Sequence, residues 1–168
     1  HHSEHIVDIV RVLGSSEYAK SATEAYLIQN NIPVDFSEEA LNQAKQYVNA
    51  VIDEKQTAKR LDLRDLPIFT IDGADTKDID DAISIERTEG GYKLGVHIAD
   101  VSHYVTEGSP LDNDAFERGT SVYIADKVIP MLPKELSNGI CSLNPGVDRL
   151  AFSCLMEISD KGTVKKYK

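Results

Sequence analysis

The sequence predicts a mixed α/β (α+β) fold: a helical lead-in followed by the first part of a mixed β-sheet domain with short helices. Three observations carry this. Up to about residue 57 apolar residues recur at helical spacing. From Pro67 onward, short β-branched runs alternate with glycine-bearing turns. Two compact segments, 109–119 and 133–139, interrupt the strands with the composition of short helices. An apolar share of 41% is enough for a real core.

The leading HHS reads as a remnant of a purification tag. EHIVDIVRVLG (4–14) is rich in β-branched residues and ends in Gly14; it reads as a strand or a short helix, and the strand is expected. SSEYAKSATEAYLIQNN (15–31) reads as a helix stopped by Pro33. DFSEEALNQAKQYVNAVIDEK (35–55) reads as one long helix with Leu41, Ala44, Val48, Val51 and Ile52 on one face. Asp35 or Ser37 is its expected N-cap. PIFTI (67–71) is a short strand. AISIER (82–87), the turn TEGG and YKLGVHIAD (92–100) form a hairpin. SPLDNDAFERG (109–119) carries Ser109 as N-cap, Pro110 in the first turn and Gly119 just past the end. TSVYIADKVIPMLP (120–133) is expected to be extended and loop-like, and PKELSNG (133–139) a short helix. RLAFSCLMEIS (149–159) and TVKKYK (163–168) begin a second hairpin. The chain stops inside this last expected strand, so a fragment of a longer protein is expected.

Composition excludes some roles and leaves others open. No apolar run approaches the ~18 residues of a membrane span, so no membrane partner is expected. Cys141 and Cys154 lack metal-ligand spacing and read as two buried, reduced thiols of a cytosolic protein. The net charge of −10 is unevenly spread: residues 118–168 hold eight Lys/Arg against five acids. An acidic centre beside a mildly basic flank is compatible with a phosphate substrate.

The chemistry concentrates in TIDGADTKDIDDA (70–82). Asp72, Asp75, Asp78, Asp80 and Asp81 fall within ten residues, with only Lys77 to offset them. Two carboxylates 4 Å apart repel by about 1 kcal/mol in water and about 4 at an effective dielectric of 20. The crowding therefore requires solvation, protonation or a shared cation. As a helix, like charges would stack every third residue. As a flat strand, Asp78 and Asp80 would point away from Asp81. A curled loop between two strands is the arrangement in which several carboxylates converge. With no His or Cys nearby, such a loop suits Mg²⁺ or Mn²⁺ rather than zinc. The calcium-loop pattern is absent, because Asp78-Ile79-Asp80 continues with Asp81 instead of glycine. A solvated acidic loop without a metal is the competing reading.

RLDLRDLPIFTIDGADTKDIDDAISI, followed by VHIADVSHYV, RGTSVY, VIPMLP and LSNGICSLNPGVDRLAFSC, resembles the catalytic domain of the ribonuclease II/ribonuclease R family, on its bacterial ribonuclease R side. The resemblance covers about residues 58–168. It implies an RNB-type catalytic domain from residue 58, a helical lead-in over 15–57, and in 1–14 the last strand of a preceding cold-shock domain. It further implies a cytoplasmic, processive 3′→5′ exoribonuclease that hydrolyses single-stranded RNA to nucleoside 5′-monophosphates with Mg²⁺, Mn²⁺ being a substitute. By the same resemblance, Asp72, Asp78, Asp80 and Asp81 are the metal-binding acids. Asp80 is the one whose loss hurts chemistry most, and Asp75 lies outside the set. Tyr123 matches the tyrosine that packs against the 3′-terminal nucleotide. The partner is the 3′ end of single-stranded RNA; DNA is not expected. His97 and His103 read as packed or hydrogen-bonded histidines, Asp100 as a loop or supporting acid, and Arg149 as a phosphate contact or a structural ion pair.

The family's domain runs past residue 168, with a second aromatic and a phosphate-steadying arginine, and is joined to cold-shock and S1 modules. The piece alone is therefore expected to be inactive. A non-catalytic RNA-binding or scaffold member of the same fold is the rival function, and the presence of all four matched aspartates argues against it.

Overall fold

The computed structural model of the chain describes residues 8–15, 17–124 and 127–168. Two compact units are present, one ending at Asp35 and one running Phe36–Lys168. In the first, α1 (Ala19–Gln29) buries Leu27. Its end is closed by Asn31 in the left-handed region (φ 53°). There Ile32 N–H donates to Leu27 O and Asn31 N–H to Ile28 O, a Schellman ending that Pro33 follows. The strand expected over 4–14 is not found. Residues 4–7 lie outside the described residues, and 8–14 have no regular structure, with Val10 96% exposed. β-branched composition makes a strand only where a neighbouring strand supplies the ladder.

In the second unit α2 (Glu38–Lys45) starts at Ser37, whose Oγ accepts from Ala40 N–H. Of the two candidate caps, Ser37 is therefore the one used. The single helix expected over 35–55 breaks after Gln46. Val48 and Val51 are exposed, the latter by 83%, rather than on a buried face. A second helix, α3 (Glu54–Thr57), opens on a capping box. In it Asp53 Oδ1 accepts from Gln56 N–H, and Asp53 N–H donates to Gln56 Oε1. The β-branched Val48, Val51 and Ile52 lose χ1 freedom in a helix, and the capping box offers the backbone a fresh start.

The sheet has five strands in the order β1-β2-β3-β6-β7. β1 is only Ile68–Phe69, shorter than the expected 67–71. β2 (Asp81–Thr88) and β3 (Gly91–Ala99) form the predicted hairpin, in register from Asp81↔Ile98 to Thr88↔Gly91. β6 (Ala151–Ser159) adds to β3, and β7 (Val164–Tyr167) closes the second predicted hairpin. The α+β class holds, but among the described residues every pairing is antiparallel, so the sheet is not mixed in direction. Hairpin connections of a few residues permit only antiparallel neighbours.

Between β3 and β6 the chain runs through a helix, a small hairpin and a wide helical turn. α4 (Pro110–Arg118) carries the predicted Ser109 cap, Pro110 and Gly119 at φ 70°. The stretch 120–133, expected to be loop-like, contains a small hairpin of β4 (Val122–Ile124) and β5 (Lys127–Ile129). The runs VYI and KVI have the β-branched and aromatic character that pairing rewards. Glu135–Ile140 forms a wide helical turn, in which Cys141 N–H reaches back five residues to Leu136 O. Ala40 and Ala44 of α2 pack with Leu111 of α4 and with Tyr104, Leu136, Ile140, Cys141 and Leu150 as the core. Cys141 is buried as expected, whereas Cys154 is exposed. Cys154 pairs with Val96 on β3 and shares its side of the sheet with Phe152, which is 79% exposed. Among the described residues no helix is long and apolar enough to cross a membrane.

Candidate active site

The acidic segment lies between β1 and β2. Asp72 and Asp75 sit in an exposed turn, closed by Thr76 N–H donating to Gly73 O at 3.0 Å. From Lys77 the backbone extends and is held from outside. Ser142 Oγ donates to Lys77 O at 2.8 Å and accepts from Ile79 N–H at 3.1 Å. Leu143 N–H donates to Ile79 O, and Ala99 N–H to Asp80 O, both at 2.9 Å. The Ile79 side chain is buried, which leaves Asp78 and Asp80 on either side of an anchored residue. Asp81 is not part of the loop: it is the first residue of β2, opposite Ile98.

The electrostatics link these acids. Asp80 is held above the usual carboxylate range by partial desolvation, and then by the charges of Asp78, Asp81 and Asp72. Asp75 is exposed and is not among the charges that act on Asp80. Tyr123, on β4, donates its hydroxyl to Asp78 Oδ2 at 2.9 Å. That bond, partial burial and the Asp78 and Asp80 charges together raise its phenol pKa. The Tyr123 residue is 67% exposed, so its ring remains open to a ligand.

Among the described residues no group of three or more His, Cys, Asp or Glu side chains is arranged to hold a metal ion. The donor set nevertheless suits a hard divalent cation. It is made of carboxylates that repel one another around Asp80, and a magnesium ion held by one or two carboxylates fills its remaining positions with water and phosphate oxygens. Asp72, Asp78, Asp80 and Asp81 make up that set of carboxylates.

The neighbouring polar residues have structural partners. His97 is buried between Ser84 Oγ (3.0 Å from Nε2) and Ser153 Oγ (2.8 Å from Nδ1), and burial lowers its pKa. A Cβ on Gly95 would meet Ser84 Oγ and His97 Nε2, so that strand position admits only glycine if the bond is kept. His103 meets the Gln56 amide at 2.8 Å and the edge of Tyr104. Asp100 accepts from Arg60 at 2.6 Å and from Ser102 at 2.9 Å. Among the described residues Arg149 makes no ion pair with an acidic side chain. Its guanidinium donates to the carbonyls of Ser142, Gly139 and Asp148. Reading the sequence missed Ser142, whose signal was a small polar residue inside the apolar run ICSL.

The family model of the RNB domain matches residues 60–168. The chain belongs to the RNB-domain family. Within that family, ribonuclease R 1 of Lactococcus lactis is 51% identical over 160 residues, covering 95% of this chain and 20% of the relative. Ribonuclease R of Thermotoga maritima is 51% identical over 162 residues, covering 95% of this chain and 23% of the relative. Mycoplasma genitalium RNase R, solved in complex with ribose methylated single-stranded RNA, superposes with a TM-score of 0.87 at 34% identity. That superposition covers 94% of this chain and 24% of that one. The chain thus spans about a fifth of the length of the curated relatives it matches. The acidic segment and Tyr123 both fall inside the matched RNB region.

Proposed function

We propose that this RNB region is the acid-bearing part of a cytoplasmic 3′→5′ exoribonuclease. It hydrolyses single-stranded RNA processively to nucleoside 5′-monophosphates by a two-metal mechanism. On this reading 15–57 leads into a catalytic domain that begins near residue 58, and cold-shock, S1 and further catalytic segments complete the protein. The observation that carries the proposal is the convergence on Asp80 of the Asp72, Asp78 and Asp81 charges, with a tyrosine hydroxyl on Asp78. The ribonuclease R names of its relatives point the same way.

In hydrolysis, a water oxygen bonds to the terminal phosphorus while the bond to the penultimate 3′ oxygen breaks. Magnesium, with manganese as a substitute, supplies the positive charge that eases deprotonation of the water and departure of that oxygen. Asp72, Asp78 and Asp81 would hold the cations, and Asp80 would hold the second one or the attacking water. Tyr123 orients Asp78 through its hydroxyl and offers its exposed ring to the terminal base, a contact that typically contributes about 1–3 kcal/mol.

Asp80→Asn in the full-length protein tests this with a 5′-labelled single-stranded RNA. Loss of about a hundredfold or more in degradation rate is expected, with RNA binding retained. Degradation at the parent rate would remove Asp80 from the chemistry and the two-metal reading with it.

A further inference from the structure

Ser142 is 0% exposed, a hydroxyl enclosed beside Cys141, Ile140 and the rest of the core. A buried hydroxyl is unfavourable unless its hydrogen bonds are made. Both of the bonds described for this one go to the backbone of the acidic segment. Its Oγ takes the Ile79 N–H and gives its proton to the Lys77 carbonyl, the two peptide groups that bracket Asp78. The next residue, Leu143, holds the Ile79 carbonyl through its own N–H. Three successive backbone groups are thus tied down by two adjacent residues. Ser142 is itself held, because Arg149 Nε donates to its carbonyl at 2.8 Å and the same guanidinium reaches Gly139 O at 3.1 Å. Lys77 and Ile79 lie before the first residue of β2, so no sheet ladder serves these groups. Buried backbone groups need a partner from somewhere.

We infer that Ser142 is a positioning residue for the metal-binding carboxylates of Asp78 and Asp80, acting through the backbone of 77–79, with Arg149 fixing Ser142 in turn. This rests on the reading of the aspartates as magnesium ligands. Partners that orient metal ligands typically contribute 10–100-fold to metal affinity or activity.

The parent, Ser142→Ala and Ser142→Thr forms of the full-length protein are compared, the threonine keeping the hydroxyl. Three quantities are read: hydrogen exchange of peptides spanning 77–82 by mass spectrometry, Mn²⁺ affinity by electron paramagnetic resonance, and kcat and KM on single-stranded RNA. Ser142→Ala is expected to speed exchange over 77–82 while leaving the β6–β7 hairpin as protected as in the parent. It is expected to weaken Mn²⁺ binding and lower kcat by about 10–100-fold, with KM nearly constant. Ser142→Thr is expected to return all three toward the parent. If exchange over β6–β7 rises too, the alanine form has lost its fold; Ser142→Cys, of similar volume but with weaker hydrogen bonds, then takes its place. Parent-like Mn²⁺ affinity and kcat in the folded variant overturn the inference, even if exchange over 77–82 changes, because a purely structural hydroxyl would move exchange alone. Equal Mn²⁺ affinity in the parent and Asp78→Asn forms is a separate result. It removes the metal reading, and the inference with it.

Discussion

From Asp72 to Thr76 the acidic segment is exposed and closed by one internal hydrogen bond, whereas from Lys77 to Asp81 it is tied to Ser142, Leu143, Ala99 and strand β2. Both halves carry aspartates. In the first half the acids are exposed, and water screens their repulsion. In the second half the backbone is held, and partial burial followed by the charges of Asp78, Asp81 and Asp72 raises the pKa of Asp80. The second half thus holds Asp78, Asp80 and Asp81 on a tied backbone, while Asp72 sits in the exposed half.

The contrast can be broken most strongly at Arg149. Arg149→Ala removes one of two donors from each of the Ser142 and Gly139 carbonyls, which keep Asn144 N–H and Ser142 N–H respectively. Hydrogen bonds from a charged donor contribute roughly 1.5–3 kcal/mol, so a destabilisation of about 3 kcal/mol is expected from urea unfolding. Arg149→Lys restores less than half, since an ammonium lacks the planar fork. A loss below about 0.5 kcal/mol for the alanine form would mean that water replaces the guanidinium without penalty.

A smaller effect is expected at Asp100, whose N–H is bonded to Leu150 O behind the held half. Burial alone would raise its pKa, but hydrogen bonds from Arg60 and Ser102 and the Arg60 charge outweigh that and hold it below 3.8. A lowered carboxylate stabilises the fold fully above its unfolded-state pKa, and the contribution is lost as pH falls through the folded-state value. Asp100→Asn should therefore be less stable by about 2 kcal/mol at pH 7. The gap to the parent should close as the pH drops below about 3.8. A pH-independent gap would assign the loss to packing.

The smallest effect belongs to the open half. Asp75→Asn should change stability by less than about 0.5 kcal/mol and leave RNA degradation at the parent rate. A large loss of activity would show that the exposed turn takes part in the site after all, and would erase the contrast.

Much of the fold was readable because its signals are local. Ser109, Pro110 and Gly119 bound α4 where their chemistry dictates, and the β2–β3 and β6–β7 hairpins follow from alternating apolar runs around glycine-bearing turns. The errors arose where two local signals compete or where a partner is needed. Asp53 and Gln56 spell a capping box, yet the apolar spacing through 35–55 concealed it. The β-branched run before Gly14 has no described strand beside it, while Val122–Ile124 finds one in Lys127–Ile129. Cys154 looked like a core thiol by composition, but its alternation along β6 places it on the open side of the sheet.

By itself the sequence determined which residues can bear the chemistry: five carboxylates in ten positions, no soft ligand among them, and a tyrosine in RGTSVY. It also determined the helix caps and turns, because those depend on neighbours a few residues away. Tertiary structure alone decided which carboxylates act on Asp80, that the Tyr123 hydroxyl meets Asp78 across 45 residues, and that a serine 63–65 residues downstream holds the backbone between them. The physical reason is that backbone N–H and C=O groups are identical at every position. Only the folded arrangement chooses their partners, and here those partners aim the charges.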